Sequence, residues 1–343
     1  MTTTPHFTPT PTATPTATWS TDSLFSASVA VSALSAAVEL GLLDELKDRG
    51  EIRFDGRQEG ADRIDPAVLR GILLPLEWAG IVVLDDRSAR PGPGFDAAYL
   101  DRGYFYWLAG GNGELTSRAP QVALERNRHG EFYHRDMRAV AVSSRMIGDV
   151  EVELRFDKIL ADQPPRAVCD LGCGSGQRLI RIAGNHPGVR GVGVDIAPAA
   201  VELTGASVAE AGLADRISVH HGDVHALPQL PEFAGIDVVT CVFMGHDFWP
   251  YDKCVTVLRR IREVFPDVER FLLCDVVRSE VAPGPHTPIF TLGFEFAHAL
   301  MGVTLPTRSD WMAAFDASGW ECEAVQEFNR PPGGLLFELR PSR

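Results

Sequence analysis

The sequence predicts an α/β protein, in which a mainly helical N-terminal domain precedes a parallel sheet that ends in an antiparallel hairpin. Three observations predict this fold. Strand-like and helix-like segments alternate between residues 167 and 276, the region before them is mostly helical in pattern, and two strand-like segments flank a Pro-Pro-Gly-Gly turn near the end of the chain. Such alternation builds a parallel sheet covered on both faces. We expect a disordered tail over 1–21, a helical dimerisation and lid domain over 22–155, and a ligand-binding domain over 156–343.

The charge and composition of the chain restrict its partners. Its 46 acidic and 32 basic residues leave a net charge of -14, which repels phosphate backbones and anionic membrane surfaces, so we expect neither nucleic acid nor a membrane as a partner. A small metabolite is the expected ligand. Residues 1–21 lack the features of a signal peptide, and no later segment approaches the roughly 20 uninterrupted apolar residues of a membrane helix. We therefore expect a soluble, cytoplasmic protein.

The N-terminal domain begins with an apolar helical stripe in "LFSASVAVSALSAAVELGLLDEL", which predicts one helix ending near "KDRG". Its small residues favour close packing, with a partner subunit as one candidate neighbour. Asp65 and Pro66 then open a second helix, followed by a short β-branched strand and a turn at "RSARPGPG". This order resembles the end of a winged-helix unit. The segment has as many acids as bases, so dimerisation is favoured over DNA binding by a transcriptional regulator.

The segment from Tyr104 to Met146 mixes aromatic residues, arginines and histidines without a clean period. This mixture is typical of a lid over a ligand pocket. The alternative is an amphipathic helical layer whose aromatic side chains belong to the core. Its role stays open at the level of the sequence.

The ligand-binding domain is predicted as five strands, three helices and a terminal hairpin. The five strands, in chain order, are "AVCDLG", "VRGVGVDI", "ISVHHGD", "IDVVTCVFM" and "RFLLCDVV". The helices are "GQRLIRIAGNHP", "PAAVELTGASVAEAGL" and "KCVTVLRRIREVFP", and the hairpin strands are "WECEAVQEF" and "GLLFELRP".

A glycine-rich loop, "DLGCGSG", follows the first of these strands and opens a helix, which is the context that a nucleotide-binding loop requires. Its spacing is D-x-G-x-G-x-G rather than the G-x-G-x-x-G of dinucleotide sites. Asp195 ends the second strand, where a carboxylate can accept both hydroxyls of a ribose, and Asp223 follows the third, where it can accept an adenine amino group. The predicted cofactor-binding residues are Asp170, Gly172, Gly174, Gly176, Asp195, Ile196, Asp223 and Val224.

These three strand ends together resemble the class I S-adenosylmethionine-dependent methyltransferases, whose motif order matches over about 170 residues. With "DKCVTVLRRIREVFP" after the fourth strand and a helical domain in front, the chain is similar to the small-molecule O-methyltransferases of plants and bacteria. The resemblance implies S-adenosylmethionine as cofactor, a class I methyltransferase fold, and a homodimer that interlocks through its N-terminal domains.

The segment "VFMGHDFWP" lies where that family carries a histidine that removes the proton of the substrate hydroxyl. His246 and Asp247 occupy this place. An imidazole with an unperturbed pKa near 6.5 suits proton removal from a phenol. O-methylation of a phenolic or hydroxylated metabolite, with His246 as general base, is therefore one hypothesis that stays open.

A second histidine, His298, lies in the apolar helical stretch "FTLGFEFAHALMGVTLPT". By itself it reads as a core histidine. With His246 and Asp247, however, it completes the set of two imidazoles and one carboxylate that holds iron or a similar metal and leaves positions open for substrate. Gly245 gives the loop the freedom to present adjacent residues to one ion.

Four motifs strengthen the second reading: "MGHDFWP", "FTLGFEFAHALMGV-x-LPT", "FYHRD" and "GELxxRxPQV". They resemble the α-ketoacid C-methyltransferases of nonribosomal peptide antibiotic pathways, which include a phenylpyruvate methyltransferase of the mannopeptimycin pathway. The resemblance implies a metal, iron or zinc, held by His246, Asp247 and His298. It also implies methylation at C3 of an α-keto acid through a metal-chelated enolate, with catalytic roles for His246, Asp247 and Arg135.

The substrate pocket expected from this resemblance has Arg135 for the substrate carboxylate and an apolar lining. Its members are Trp107, Phe132, Arg135, Phe243, Met244 and Phe294. Phenylpyruvate and 4-methyl-2-oxopentanoate both suit such a lining. A metal-bound hydroxide and Asp247 both stay open as the group that removes the C3 proton.

Overall fold

A computed structural model describes residues 20–54, 64–280, 289–329 and 333–342 of the chain. The predicted disordered tail lies outside these residues, except for Ser20 and Thr21. Those two residues begin the first helix, because the Ser20 side chain accepts a hydrogen bond from the backbone N–H of Ser23 and so caps it.

The single helix predicted at the start of the N-terminal domain is wrong: two helices, α1 (Thr21–Glu39) and α2 (Leu42–Arg49), form instead. Gly41 separates them with φ of +68°, a left-handed conformation that stops a helix and that glycine adopts without strain. The predicted second helix is confirmed as α3 (Pro66–Trp78), whose N-cap Asp65 accepts the backbone N–H groups of Ala67 and Val68. These helices share one apolar core.

A small antiparallel sheet follows the first helices, with β3 (Ser88–Pro91) between β1 (Ile52–Arg53) and β2 (Val82–Leu84). The strand prediction for β2 is confirmed. The turn predicted over 87–94 is wrong in position, because Ser88–Pro91 is the central strand. Asp85 makes the turn earlier, since its carboxylate accepts the backbone N–H groups of Arg87 and Ser88.

The segment that mixes aromatic residues and arginines is largely helical. It comprises α4 (Phe95–Phe105), a π-helix (Tyr106–Gly111), α5 (Gly113–Ser117), α6 (Ala119–Val122) and the beginning of α7 (Met137–Asp162). Helix α7 runs across the proposed domain boundary at 155/156, so one continuous helix of 26 residues connects the N-terminal helices to the sheet.

The predicted sheet is confirmed, and it contains seven strands in the order β6-β5-β4-β7-β8-β10-β9. The strands are β4 (Ala167–Leu171), β5 (Arg190–Asp195), β6 (Ile217–His221), β7 (Val238–Val242), β8 (Arg270–Val276), β9 (Trp320–Glu327) and β10 (Gly334–Pro341). The first five are parallel and the last two form the antiparallel hairpin. The chain order reverses at β4, and ligands of such sheets bind beyond the carboxyl ends of the strands at this point.

Helices cover both faces of the sheet. They are α8 (Gln177–Asn185), α9 (Pro198–Glu210), α10 (Tyr251–Val264), α11 (Ile289–Met301) and α12 (Arg308–Ser318). Two apolar cores, one on each face, hold these layers together. A further apolar cluster joins α11 to the π-helix and to α7, so α11 roofs the carboxyl edge of β7 and β8.

Helix α1 is long and apolar enough to cross a membrane by length and composition alone, with a mean hydropathy of 1.3 over its most apolar window. One-third of that window is buried inside the protein. A core helix of a soluble protein has the same length and composition, so this finding is weak support for a membrane span.

Candidate active site

The glycine-rich loop after β4 adopts a conformation that places its backbone against a cleft. Gly172, Gly174 and Gly176 all have positive φ, between 56° and 75°. The Gly174 N–H donates to Oδ2 of Asp195 at 2.9 Å, while Oδ1 of Asp195 accepts the N–H of Ala197. Each carboxylate oxygen keeps a second lone pair, which leaves Asp195 able to accept two hydroxyls.

A cleft of about 850 Å³ opens over this loop. Six of the eight predicted cofactor residues line it, namely Gly172, Gly174, Asp195, Ile196, Asp223 and Val224. Asp170 and Gly176 do not line the cleft. Asp170 is fully buried and bonds Thr240 and Arg178, and Gly176 packs against Thr204. Both residues support the loop from behind.

We expect Gly176→Ala to destabilise the loop, because a β-carbon there would lie 2.4 Å from Cγ2 of Thr204. Thermal unfolding should show a stability loss of about 1–3 kcal/mol. Gly174→Ala is the matched comparison, since its β-carbon meets no protein atom within 4 Å and projects into free space. Gly174→Ala should lose less stability than Gly176→Ala in thermal unfolding. Calorimetric titration should nevertheless show that Gly174→Ala binds S-adenosylhomocysteine more weakly. Equal stability losses in the two variants would contradict this distinction.

A buried ionic network lies beneath the cleft and was not predicted. Arg178 of α8 donates to Oε1 of Glu153 at 2.6 Å and 3.1 Å and to both oxygens of Asp170 at 3.2 Å and 3.3 Å. Burial disfavours the charged guanidinium, but the two carboxylates outweigh it and raise the pKa of Arg178. Burial likewise raises the pKa of Asp170, against the opposing effect of Arg178.

His246 lies in a short 3-10 helix (Gly245–Phe248) directly after β7, and it is buried. Its Nδ1 lies 2.9 Å from Oδ1 of Asp275, and its backbone N–H donates to Oδ2 of the same residue at 2.6 Å. Because a carboxylate oxygen only accepts, Nδ1 carries the proton. Burial opposes protonation of the ring, yet the charge and hydrogen bond of Asp275 outweigh it and raise the pKa of His246.

His298 of α11 meets His246 across the cavity, as the sequence predicted for a shared site. Its Nδ1 donates to the backbone oxygen of Phe294 at 2.7 Å, and its Nε2 lies 3.1 Å from Nε2 of His246. With both rings neutral and both Nδ1 atoms protonated, two Nε2 lone pairs face each other, and either a metal ion or a proton on Nε2 of His246 removes this repulsion. Burial, together with the nearby His246, lowers the pKa of His298 to about 2, so a proton between the rings belongs to His246, whose pKa is raised.

Asp247, the third predicted metal ligand, is not assembled with the two imidazoles. Its Oδ1 lies 4.0 Å from Nε2 of His246, and its side chain is 56% exposed. Within the part of the chain that the structure describes, no group of three histidine, cysteine, aspartate or glutamate side chains is close enough to hold a metal. Of the three predicted ligands, the structure thus brings the two histidines together and leaves the Asp247 side chain apart from them.

The two histidines open onto a cavity of about 190 Å³. Four predicted pocket residues line it, namely Trp107, Arg135, Phe243 and Phe294. The other two predicted residues lie beside it. Met244 lines the cofactor cleft, where it packs on Gly172, and the ring of Phe132 packs against the guanidinium of Arg128 and the ring of Tyr133.

The cavity is aromatic on one side and cationic on the other. Trp107 stacks with His298 at a centroid separation of 6.1 Å, and Phe294 packs on the same ring at 4.0 Å. Nε of Arg135 is buried and has no hydrogen-bond partner among the described residues. An unpartnered guanidinium nitrogen in an apolar cavity is suited to an anionic ligand group.

The cleft and the cavity meet at a shared wall. Five residues line both, namely Met137, Val140, Ser144, Phe243 and Asp247. Phe243 has φ of +55°, which is uncommon for a residue other than glycine. A methyl group carried by a ligand in the cleft would reach a ligand in the cavity past this wall.

Two acidic residues that contact or line the site, Asp275 and Glu153, were not predicted. Asp275 ends the apolar run "FLLCDVV", where a charged residue in a buried strand is the signal that something must pair with it. Glu153 carries no comparable signal, since it is one of many acids in a polar helical pattern. Only its burial at 8% exposure distinguishes it.

Comparison with known proteins places the chain among methyltransferases. Residues 168–266 match a family described as methyltransferase domain. The chain is 36% identical to methyltransferase ungE' of Aspergillus campestris, over 92% of this chain and 95% of that protein. It is 30% identical to an indolepyruvate C-methyltransferase of Streptomyces griseus, over 93% and 94%. The structure of mitomycin 7-O-methyltransferase MmcR is similar with a TM-score of 0.67 at 21% identity, over 94% of this chain and 96% of that one.

Proposed function

Because the chain belongs to the S-adenosylmethionine-dependent methyltransferases of the small-molecule C- and O-methyltransferase type, we propose that it methylates C3, the β-carbon, of an α-keto acid. The supporting observation is the histidine pair, which lies at the end of a cavity that also holds an unpartnered arginine nitrogen. A cation site beside an anion site suits an α-keto acid, whose keto and carboxylate oxygens lie on adjacent carbons.

The indolepyruvate C-methyltransferase of Streptomyces griseus supports carbon as the site of methylation. Its name specifies transfer to carbon and indolepyruvate as substrate, which is an α-keto acid with an aromatic side chain. The aromatic wall of Trp107, Phe290 and Phe294 suits aryl or branched aliphatic side chains. We propose phenylpyruvate and 4-methyl-2-oxopentanoate as the first substrates to test, and a place in antibiotic or other secondary-metabolite biosynthesis.

The donor set fits a metal such as iron or zinc. Two nitrogens bound to one ion at about 2.1 Å lie about 3.0 to 3.4 Å apart for angles between about 90° and 109°, and the two Nε2 atoms are 3.1 Å apart. Metal-bound histidines also donate their other ring N–H to a carboxylate or a carbonyl, as His246 and His298 do. Rotation of the exposed Asp247 side chain would supply a third ligand. When bound, such an ion supplies Lewis acidity that favours loss of the C3 proton.

The protein's own residues then position the two reactants. The Arg135 guanidinium holds the substrate carboxylate, while the aromatic wall holds its side chain and excludes water. S-adenosylmethionine lies in the cleft, and its methyl group faces the cavity past Phe243. The C3 proton passes to a base, for which the Asp247 carboxylate lines both the cleft and the cavity. C3 then forms a bond to the methyl carbon as the carbon–sulfur bond breaks, and S-adenosylhomocysteine leaves.

O-methylation is the second candidate, and the contact between His246 and Asp275 favours it. A carboxylate that orients a histidine and raises its pKa is also the arrangement of a general base. However, a base needs its Nε2 to face the substrate hydroxyl, and here that atom faces His298.

A screen of α-keto acids with S-adenosylmethionine separates the two candidates. We expect deuterium exchange at C3 and a C3-methylated product, both abolished when a chelator removes the metal and restored by iron or zinc. Methylation of a phenol that persists in the presence of the chelator would instead establish O-methylation with His246 as base.

We also propose that the chain forms a homodimer through α1 and the N-terminal domain over 22–155. Leu24, Phe25 and Val29 of α1 are exposed by 65%, 71% and 41%, and such apolar side chains favour a partner surface. Phe25→Glu should shift the protein from dimer to monomer in light scattering with size-exclusion chromatography. Leu203→Glu, which changes an exposed leucine on the distant helix α9, is the control. A monomeric native protein would refute the proposal.

A further inference from the structure

We propose that Glu153 of α7 binds the α-ammonium group of S-adenosylmethionine. This inference rests on the cofactor of the proposed function and on the cavity as the place of the methyl acceptor, and it is independent of the acceptor's chemical identity and of the metal.

Glu153 presents one committed and one free carboxylate oxygen. Its Oε1 accepts both hydrogen bonds from Arg178, whereas Oε2 has no hydrogen-bond partner among the described residues. The residue is only 8% exposed, yet it lines the cofactor cleft. A cleft-lining carboxylate that a guanidinium holds by one oxygen, with the other oxygen uncommitted, is suited to accept from a cationic N–H group.

The part of the cofactor that lies beside Glu153 can be inferred from the residues at the rest of the cleft. Asp195 and Asp223 lie at the end suited to adenosine, and the sulfonium must lie at the shared wall beside Phe243 for its methyl group to reach the cavity. A β-carbon on Gly148 would lie 3.9 Å from Oε1 of Glu153 and 4.0 Å from Cε2 of Phe243, so these side chains approach the same point of α7. Glu153 is therefore next to the sulfonium position, where the amino-acid part of the cofactor begins.

The charges around this end suit a zwitterion. Glu153, Asp170 and Arg178 together carry two carboxylates and one guanidinium, which leaves an excess of negative charge for the ammonium group. Arg145 lines the same cleft and is suited to the cofactor's own carboxylate, whereas Arg181, which also lines it, already donates to Asp157. Helix α7, which spans the proposed boundary between the two domains, thus contributes Glu153 to the cofactor site.

Two ligands that differ only in the amino-acid part test this assignment. S-adenosylhomocysteine carries the ammonium group, whereas 5′-methylthioadenosine keeps the adenosine and the thioether but lacks it. In calorimetric titrations of the full chain, Glu153→Gln should weaken the binding of S-adenosylhomocysteine about 10- to 100-fold, which corresponds to the loss of one charge-assisted hydrogen bond. Binding of 5′-methylthioadenosine should change less than about twofold.

Glu151→Gln is the matched control on the same helix, because Glu151 pairs with Arg155 and does not line the cleft. The Glu151→Gln variant should bind both ligands as tightly as the native protein does. Should Glu153→Gln not fold, Glu153→Asp keeps the charge for Arg178 and withdraws the free oxygen, and the same ligand difference is expected. Equal weakening of the binding of both ligands would show that Glu153 has only a structural role. Unchanged binding of both ligands would place the ammonium group elsewhere. Either result overturns the proposal. Failure to methylate any keto acid would leave this binding difference intact.

Discussion

Replacing His298 by alanine should abolish methylation of the α-keto acid, with a loss of at least about 1000-fold in kcat/KM, equivalent to about 4 kcal/mol. His298 supplies one of the two nitrogens that face each other at 3.1 Å, whereas Oδ1 of Asp247 lies 4.0 Å from Nε2 of His246. The loss should be accompanied by loss of bound metal, measured by mass spectrometry of the purified protein. Metal content and activity should fall together.

Two further variants separate the nitrogen of His298 from its packing. His298→Phe keeps a ring between Trp107 and Phe294, so it should fold as stably as the native protein and still be inactive. His186→Ala, at the end of α8 and remote from both cavities, should keep full activity. Full activity of His298→Ala in protein free of metal would exclude the metal and leave O-methylation as the better reading.

Replacing Asp275 by asparagine should have the second largest effect, on both activity and stability. Both carboxylate oxygens of Asp275 accept: Oδ1 from Nδ1 of His246 and the N–H of Val276, and Oδ2 from the N–H of His246. The asparagine NH₂ group would face a donor in either orientation. We expect activity to fall about 10- to 100-fold, because the ring of His246 loses its orientation. Urea unfolding should show a loss of about 1–3 kcal/mol.

Asp237→Asn is the matched control for the stability effect. Asp237 is also a buried aspartate of the sheet, where it accepts the backbone N–H groups of Arg166 and Ala167, but it lies before β7, at the opposite edge from the site. Asp237→Asn should lower the free energy of unfolding by a similar amount while each folded molecule keeps its activity. If the two variants lost activity equally, Asp275 would have no specific role in orienting His246.

The predictions that depended on neighbouring residues in the chain were the reliable ones. Strand and helix alternation predicted the sheet, and the position of the glycines after the first strand predicted the loop. That Asp195 also accepts a backbone N–H of this loop was found only in the structure. Errors arose where a local exception overrode the pattern. Gly41 broke a continuous apolar stripe into two helices, and Asp85 moved a turn ahead of the position that the prolines and glycines suggested.

The sequence by itself determined the methyltransferase sheet and its cofactor loop, because these depend on periodicity and on short spacing. It offered His246 and His298 as candidates because their motifs resemble those of a known family. Only the tertiary structure decided that these two histidines, 52 positions apart, face each other, that Asp275 orients one of them, and that Glu153 reaches the cleft. It also decided that Phe132 and Met244 lie outside the cavity. The physical reason is that a side chain's partners depend on how α7 and α11 pack across the sheet edge, and that packing is set by contacts between residues far apart in the chain.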